Sequence, residues 1–494
     1  MLPPDYLEKV ETQAINIYND LELEIIKEIS ERIANVGYAN TVVKNDILIA
    51  QEMGMLYTDV IDLVSKYNKK SYEEIEKIFE KAGITTIKND DEIYKEAGLN
   101  PISIKQDKAM MDLLISSASK TNNNLANLTM TTAINTQTEF LNAMNRAYME
   151  VSTGVKSYSQ AIIDAVDNIG SKGAVVTYPS GHQMSLESAA RMNVVTGVNQ
   201  TCGKMQLLRA EELNWDLMEI TAHGGARPEH AVWQGKIVSR SGKKGYLSFK
   251  DIGYGEVTGF KGINCKHDWN PYFEGSSKTY SEEQLKKWQN ETIKYKDKSM
   301  TRYEANQVQR NMERTIRQDK RDLAGIQGIL TSNTTDSQLI EKTKTEFARK
   351  TLYYNSHVKE LAEFTNAIES RNDITKVYIG KQEKTIKSQM KSVTQITTKY
   401  NKEIIGIKVQ DTEIKEVSEH IISRTFARNL DFEDVQDTLN NPLDYGKIKI
   451  DKQGRKSINV YGKKVTVSVN PDTGKLATAR PTNKRELKKY ESKE

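Results

Sequence analysis

Apolar residues set the first rhythm of this chain. Tyr6, Val10, Ile17, Leu21, Ile25, Ile29 and Ile33 recur at the three-to-four-residue interval of one helix face, from a start at Pro3-Pro4-Asp5 to a stop at Gly37. A second amphipathic segment spans about 46–67 and a third about 71–82, where Ser71 with Glu74 three residues on reads as a capping box. Residues 120–137 are rich in Asn and Thr and compatible with helix. The run GAVVTYPSGHQM predicts a hairpin around a Pro179-Ser180-Gly181 turn, with His182 at the surface. Helical spacing returns over 186–214, and 215–220 reads as a strand.

Residues 276–395 are charged helix, with Val308, Met312 and Ile316 on one stripe and Arg310, Arg314, Arg317, Lys320 and Arg321 elsewhere. A DNA contact is possible for such a face, although a solvated surface is the commoner role. Residues 331–337 (TSNTTDS) read as a hinge. From Ile404 the pattern changes: a short strand (IIGIKV), a helix through EIKEVSEHIISRTFARN, a helix from Asp431 to Pro442, then strand runs around KIKID, SINVYGKKVTVSVN and KLATARP. The fold class expected is multidomain and mainly α, with a small α+β core and a C-terminal α+β domain of two helices and an antiparallel sheet. The expected divisions are 1–150, a helical region; 151–275, the α+β core; 276–395, a helical arm; and 396–494, the C-terminal domain.

Composition narrows the class. A chain of 494 residues exceeds what one core serves. Its 28% charged residues and mean hydropathy of −0.63 suit long, partly exposed helices. No run approaches the roughly 18 apolar residues of a membrane span, and MLPPDYLEKVE lacks the apolar centre of a signal peptide. Two cysteines, Cys202 and Cys265, fit a reducing compartment. A soluble protein made in a cell's cytoplasm, with no membrane partner, is therefore expected. Net charge is only +4, but residues 445–494 hold 14 Lys and Arg against five acids, which suits a polyanion.

The candidate chemistry lies between His223 and His267. Three of the six histidines and one of the two cysteines fall there: His223, His230, Cys265 and His267. Three imidazoles and a thiolate suit a tetrahedral ion such as zinc, in a structural role. On one straight helix His223 and His230 would stand roughly 10 Å apart, too far to share an ion. Gly224, Gly225 and Pro228 break that helix and let a loop turn both rings inward. Two other readings stay open: a hydrogen-bonded core without metal, and a Cys265 nucleophile with His223 or His230 as its base.

The sequence HGGARPEH, followed by WQGK, a Y-G-x-V-x-G turn and G-x-N-C-x-H, resembles the phage minor capsid protein 2 family, related to the Mu F-like head morphogenesis proteins. The resemblance runs from the N-terminus to about residue 330. It implies a virion protein of the head interior, with portal and capsid proteins as partners and DNA in the head as a neighbour.

A second resemblance covers about 404–490. The order H-x3-R-x3-R, a helix ending in Asn-Pro, then V-x-V-x-V-N-P-D-T-G-x-L-x-T is similar to the barnase–EndoU–RelE-like nuclease fold. It implies a metal-independent ribonuclease acting on RNA, with His420 as general acid/base, Arg424 or Arg428 on phosphate, and Thr478 near the site. From the residues themselves, a helix carrying His420, Arg424 and Arg428 opposite a sheet with Lys463, Thr478 and Arg480 has the proton shuttle and cations such cleavage needs. A solvated basic helix is the plainer alternative.

Overall fold

The computed structural model describes residues 12–37, 42–370, 384–451 and 453–491. Pro3 to Asp5, Tyr6 and Val10, expected to start the first helix, lie outside them. Helix α1 (Thr12–Val36) stops where expected, at Gly37, whose φ of 66° is left-handed. Helix α2 (Val42–Glu96) is continuous where two segments and a capping box were expected. No Gly or Pro separates the two apolar stripes, and Ser71 is buried inside the helix. Its hydroxyl donates to the Asn68 carbonyl at 3.0 Å and meets the Tyr18 hydroxyl at 2.8 Å, so it caps nothing.

Helices α3 (Lys108–Ser152), α4 (Tyr158–Lys172) and α5 (Leu186–Glu212) start on Asp107, Ser157 and Ser185, each accepting from a backbone N–H three residues on. The expected hairpin joins α4 to α5 as β1 (Val175–Thr177) and β2 (Gln183–Ser185). Helices α1 to α5 share one large apolar core.

The central unit follows. β3 (Leu217–Ile220) lies between β4 (Ile237–Ser239) and β5 (Trp269–Pro271) in an antiparallel sheet, with Ile220 opposite Trp269. One turn of helix, α6 (Pro228–Ala231), sits between β3 and β4. Trp233, Phe260 and Trp269 fill the unit's own small core.

After α7 (Glu282–Gln289) comes a hairpin that the charged pattern concealed, β6 (Thr292–Tyr295) with β7 (Lys298–Thr301). Helix α8 (Arg302–Thr331) begins on a full capping box, Thr301 with Glu304, and α9 (Ser337–Ala367) follows the 332–336 connection. The expected arm does not stand apart: Leu323, Ile326, Leu339 and Phe347 belong to the same core as α1 to α5. Lys320, expected among solvated cations, is 1% exposed there. It donates to Asn19 Oδ1 at 2.6 Å and lies 3.8 Å from Glu187, so a local charge partner overrides the preference of lysine for water.

The C-terminal unit is α+β. Helix α10 (Lys384–Glu403) and the pair β8 (Lys408–Val409) and β9 (Thr412–Glu413) lead to β10 (Glu416–Val417), α11 (Glu419–Ala427) and α12 (Phe432–Asn440). The helix expected from Glu413 starts only at Glu419, because Glu416 and Val417 pair with β15 and Ser418 caps α11. Asp431 stands at the cap of α12, without a side-chain capping bond. Then come β11 (Asp444–Tyr445), β12 (Lys449–Ile450), β13 (Lys456–Tyr461), β14 (Val465–Val469), β15 (Lys475–Pro481) and α13 (Lys484–Glu491). The sheet order is β10-β15-β14-β13-β11, with β12 also on β13; only β10 runs parallel to its neighbour. The chain is thus mainly α, with a small α+β core and a C-terminal α+β unit.

A candidate metal centre

Two loops of the central unit meet at one point. The first leaves β3, turns through Gly224 and Gly225 and re-enters as α6, which carries His230. At Gly225 φ is 71°, and a Cβ there would lie 2.4 Å from Asn306 Nδ2 and 2.8 Å from Arg302 Cγ. Only glycine lets this loop lie against the start of α8. The second loop, 261–268, feeds β5 and carries Cys265 and His267. It is braced on α5: Asn199 Nδ2 donates to the Cys265 carbonyl at 2.7 Å, and Gln200 Nε2 donates to that of Lys261 at 3.1 Å. Beneath it Lys261 Nζ bridges Asp268 (2.6 Å) and Asn199 Oδ1 (2.8 Å), a buried and fully paired cation.

Cys265 Sγ lies 3.9 Å from His230 Nδ1 and 3.7 Å from His267 Nδ1, and the three donor atoms all fall within 4.8 Å of one another. A tetrahedral zinc, with bonds of about 2.3 Å to sulfur and about 2.0 Å to nitrogen, sets a sulfur–nitrogen edge of roughly 3.5 Å. The two sulfur–nitrogen distances are close to that edge.

The far nitrogens explain why these faces turn inward. His230 Nε2–H donates to the Thr258 carbonyl at 2.7 Å. His267 Nε2–H donates to Gln234 Oε1 at 3.2 Å, and the same oxygen accepts the backbone N–H of His223, which fixes the amide's orientation. Both rings therefore present an Nδ1 lone pair to the sulfur, the tautomer a metal requires. Burial lowers the pKa of both, that of His267 to well below its ordinary value, so the imidazoles are neutral and ready to bind. Burial pushes the Cys265 thiol up, and an ion would have to displace its proton.

His223 is placed differently. Its ring lies on that of His267, centroids 4.6 Å apart, and its Nδ1–H donates to the Gly224 carbonyl at 3.1 Å. It lines the same cavity of about 70 Å³ as the other three, with Arg227, Tyr303, Asn306 and Arg310, but does not join the converging group. Gln234 stood in the WQGK run without a role being read for it, and Thr258 and Asn199 had no sequence signal.

The family model described as phage minor capsid protein 2 matches residues 2–359. The chain belongs to that family. It is also 26% identical, over 270 residues, to a "Structural protein" of Lactococcus phage LL-H, a stretch covering 51% of this chain and 72% of that protein. No solved structure matches. The cluster of His230, Cys265 and His267 lies inside the minor capsid match; the C-terminal unit lies beyond it.

In that C-terminal unit of the minor capsid protein, α11 carries His420 and Arg424, with Arg428 at its C-cap. His420 is at the surface, its pKa lowered by partial burial and by the two arginines. Both arginines engage Glu341 of α9, Arg424 at 3.0 Å and Arg428 at 2.8 Å. Thr478 is next to Ala479, which is buried in the core that α11 helps form, so strand alternation turns Thr478 to the opposite face. Lys463 is exposed in the turn between β13 and β14, and Arg480 pairs with Glu486 of α13 at 2.6 Å. The structure thus brings His420, Arg424 and Arg428 together and leaves Lys463, Thr478 and Arg480 on other parts of the unit. Among the described residues no helix is long and apolar enough to cross a membrane.

Proposed function

We propose that this protein is a minor structural component of a phage head, seated at the portal or against the inner shell, with a central unit stapled by one zinc ion. His230, Cys265 and His267 would hold the ion, and His223 would complete the set. The observation that carries the metal reading is the convergence of a buried thiol with two imidazoles whose outer nitrogens are both tied to oxygen acceptors. Bound there, zinc would supply a cross-link between two loops that bury little apolar surface of their own. A buried thiol with a raised pKa is the reverse of an activated nucleophile, which favours ligand over maturation protease. Family membership supports partnership with other capsid proteins and residence in the virion, and Arg310 and Arg314 on α8 offer DNA in the head a basic face.

The test is the metal content of the purified full-length protein. About one zinc per chain is expected, lost in Cys265→Ser and His230→Ala and retained in Cys202→Ser. A folded wild-type protein that holds no zinc after loading and dialysis would end the metal reading.

A second reading applies to the C-terminal unit: a metal-independent ribonuclease. His420, neutral near pH 7 and beside two guanidiniums, favours it. The imidazole would take the proton of a 2′-hydroxyl as that oxygen attacks the phosphate, and the 5′-oxygen would leave with a proton from water, while the arginines carry the phosphate charge. Lys463 and Thr478 would have to reach the site by rearrangement. The full-length protein, its Glu341→Gln variant, which frees both arginines, and its His420→Ala variant are incubated with labelled RNA; RNA left intact by all three removes this reading.

A further inference from the structure

Glu341 stands near the start of α9, inside the minor capsid match, while the residues it binds lie outside that match. A single oxygen, Oε1, accepts from Arg424 Nη1 at 3.0 Å and from Arg428 Nε at 2.8 Å. Arg428 is held in place by a second bond, Nη1 to the Ala479 carbonyl at 3.1 Å. One anionic oxygen between two guanidiniums is the arrangement in which arginines hold a phosphate oxygen. His420 shares this side of α11, and apolar contact brings the helices together, with Phe347 and Phe426 stacked at 6.1 Å.

The contact is open to exchange. The side chains of Glu341, Arg424 and Arg428 are 41%, 26% and 27% exposed. Ion pairs this accessible contribute little net stability and are screened by salt. The apolar docking does not depend on them.

We propose that Arg424 and Arg428 form a site for an RNA phosphodiester that Glu341 fills in cis, closing the C-terminal unit to RNA until a phosphate displaces the carboxylate. The substrate class rests on the ribonuclease reading; the occupied site rests on the contact itself.

The experiment measures binding of a short fluorescein-labelled single-stranded RNA to the full-length protein at low salt. Glu341→Gln is expected to bind about tenfold more tightly than wild type, and Glu341→Ala at least as tightly. Glu346→Gln, which removes a carboxylate paired with Arg349 on the same helix, is expected to bind as wild type does. Adding Arg424→Gln and Arg428→Gln to the Glu341 variant is expected to abolish the gain. No gain in either Glu341 variant, an equal gain in Glu346→Gln, or a gain that survives loss of both arginines would overturn the proposal. Cleavage followed in the same samples separates the two ideas. Tight binding by Glu341→Gln without His420-dependent cleavage retires the ribonuclease and leaves the closed site. Cleavage that depends on His420 but is indifferent to Glu341 does the reverse.

Discussion

Gln234 does two jobs with one oxygen: it accepts from the backbone of His223 and from the ring of His267. Replacing it with Leu frees the His267 ring to flip, and zinc affinity is expected to fall about 10- to 100-fold, read by competition with a chromophoric chelator. The metal-free protein should also feel acid. His267 has a folded pKa below its unfolded value, so the unfolded chain takes up the proton first. Stability is full above about pH 6.5 and declines below it, by up to about 1.4 kcal/mol per pH unit from this ring. Denaturant melts of chelator-treated protein between pH 7 and 5 check the sign; His267→Phe should flatten the slope. His230, Cys265 and His267 were legible in the sequence because rare residue types crowd one Gly-rich stretch. Gln234, the Thr258 carbonyl and Glu341 were not. Their roles exist only once the chain has folded, and Glu341 is far in sequence from the arginines it meets.

Elements were readable where one signal dominated. Gly37 ends α1 and Pro179-Ser180-Gly181 turns the first hairpin, each for a local backbone reason. The reading failed where local signals competed. Ser71 looked like a cap because Glu74 follows it, yet tertiary packing on Tyr18 kept the helix unbroken. The hairpin 292–301 lay hidden because its alternation is brief and almost every second residue is polar. Two substitutions test what holds elements together. Gly225→Ala strains a left-handed residue and drives a methyl into Asn306 and Arg302; a loss of about 1–3 kcal/mol is expected by denaturant unfolding. Gly242→Ala, equally left-handed at φ 79° but in open space, should cost less. Lys320→Ala removes the cation that holds down the pKa of the buried Glu187, and a loss of about 3–5 kcal/mol is expected.

At the scale of the whole molecule, the mainly α class and the α+β character of both smaller units followed from periodicity. How the parts join did not. Residues 276–395 read as an arm because they are so charged, but a helix can be charged on one side and still present an apolar ridge to a core. Helix α9 gives Leu339 and Phe347 to the large core and Ala348 to the C-terminal one. Helix α10 repeats the pattern, with Ile386 and Met390 in the first and Val393 and Tyr400 in the second.

Sharing two rods in this way makes the protein a single mechanical object. A pull applied at its C-terminal end is transmitted along α9 and α10 straight into the helical body. In an optical trap, stretching should give one rip that releases both parts together, where a beads-on-a-string molecule would give two.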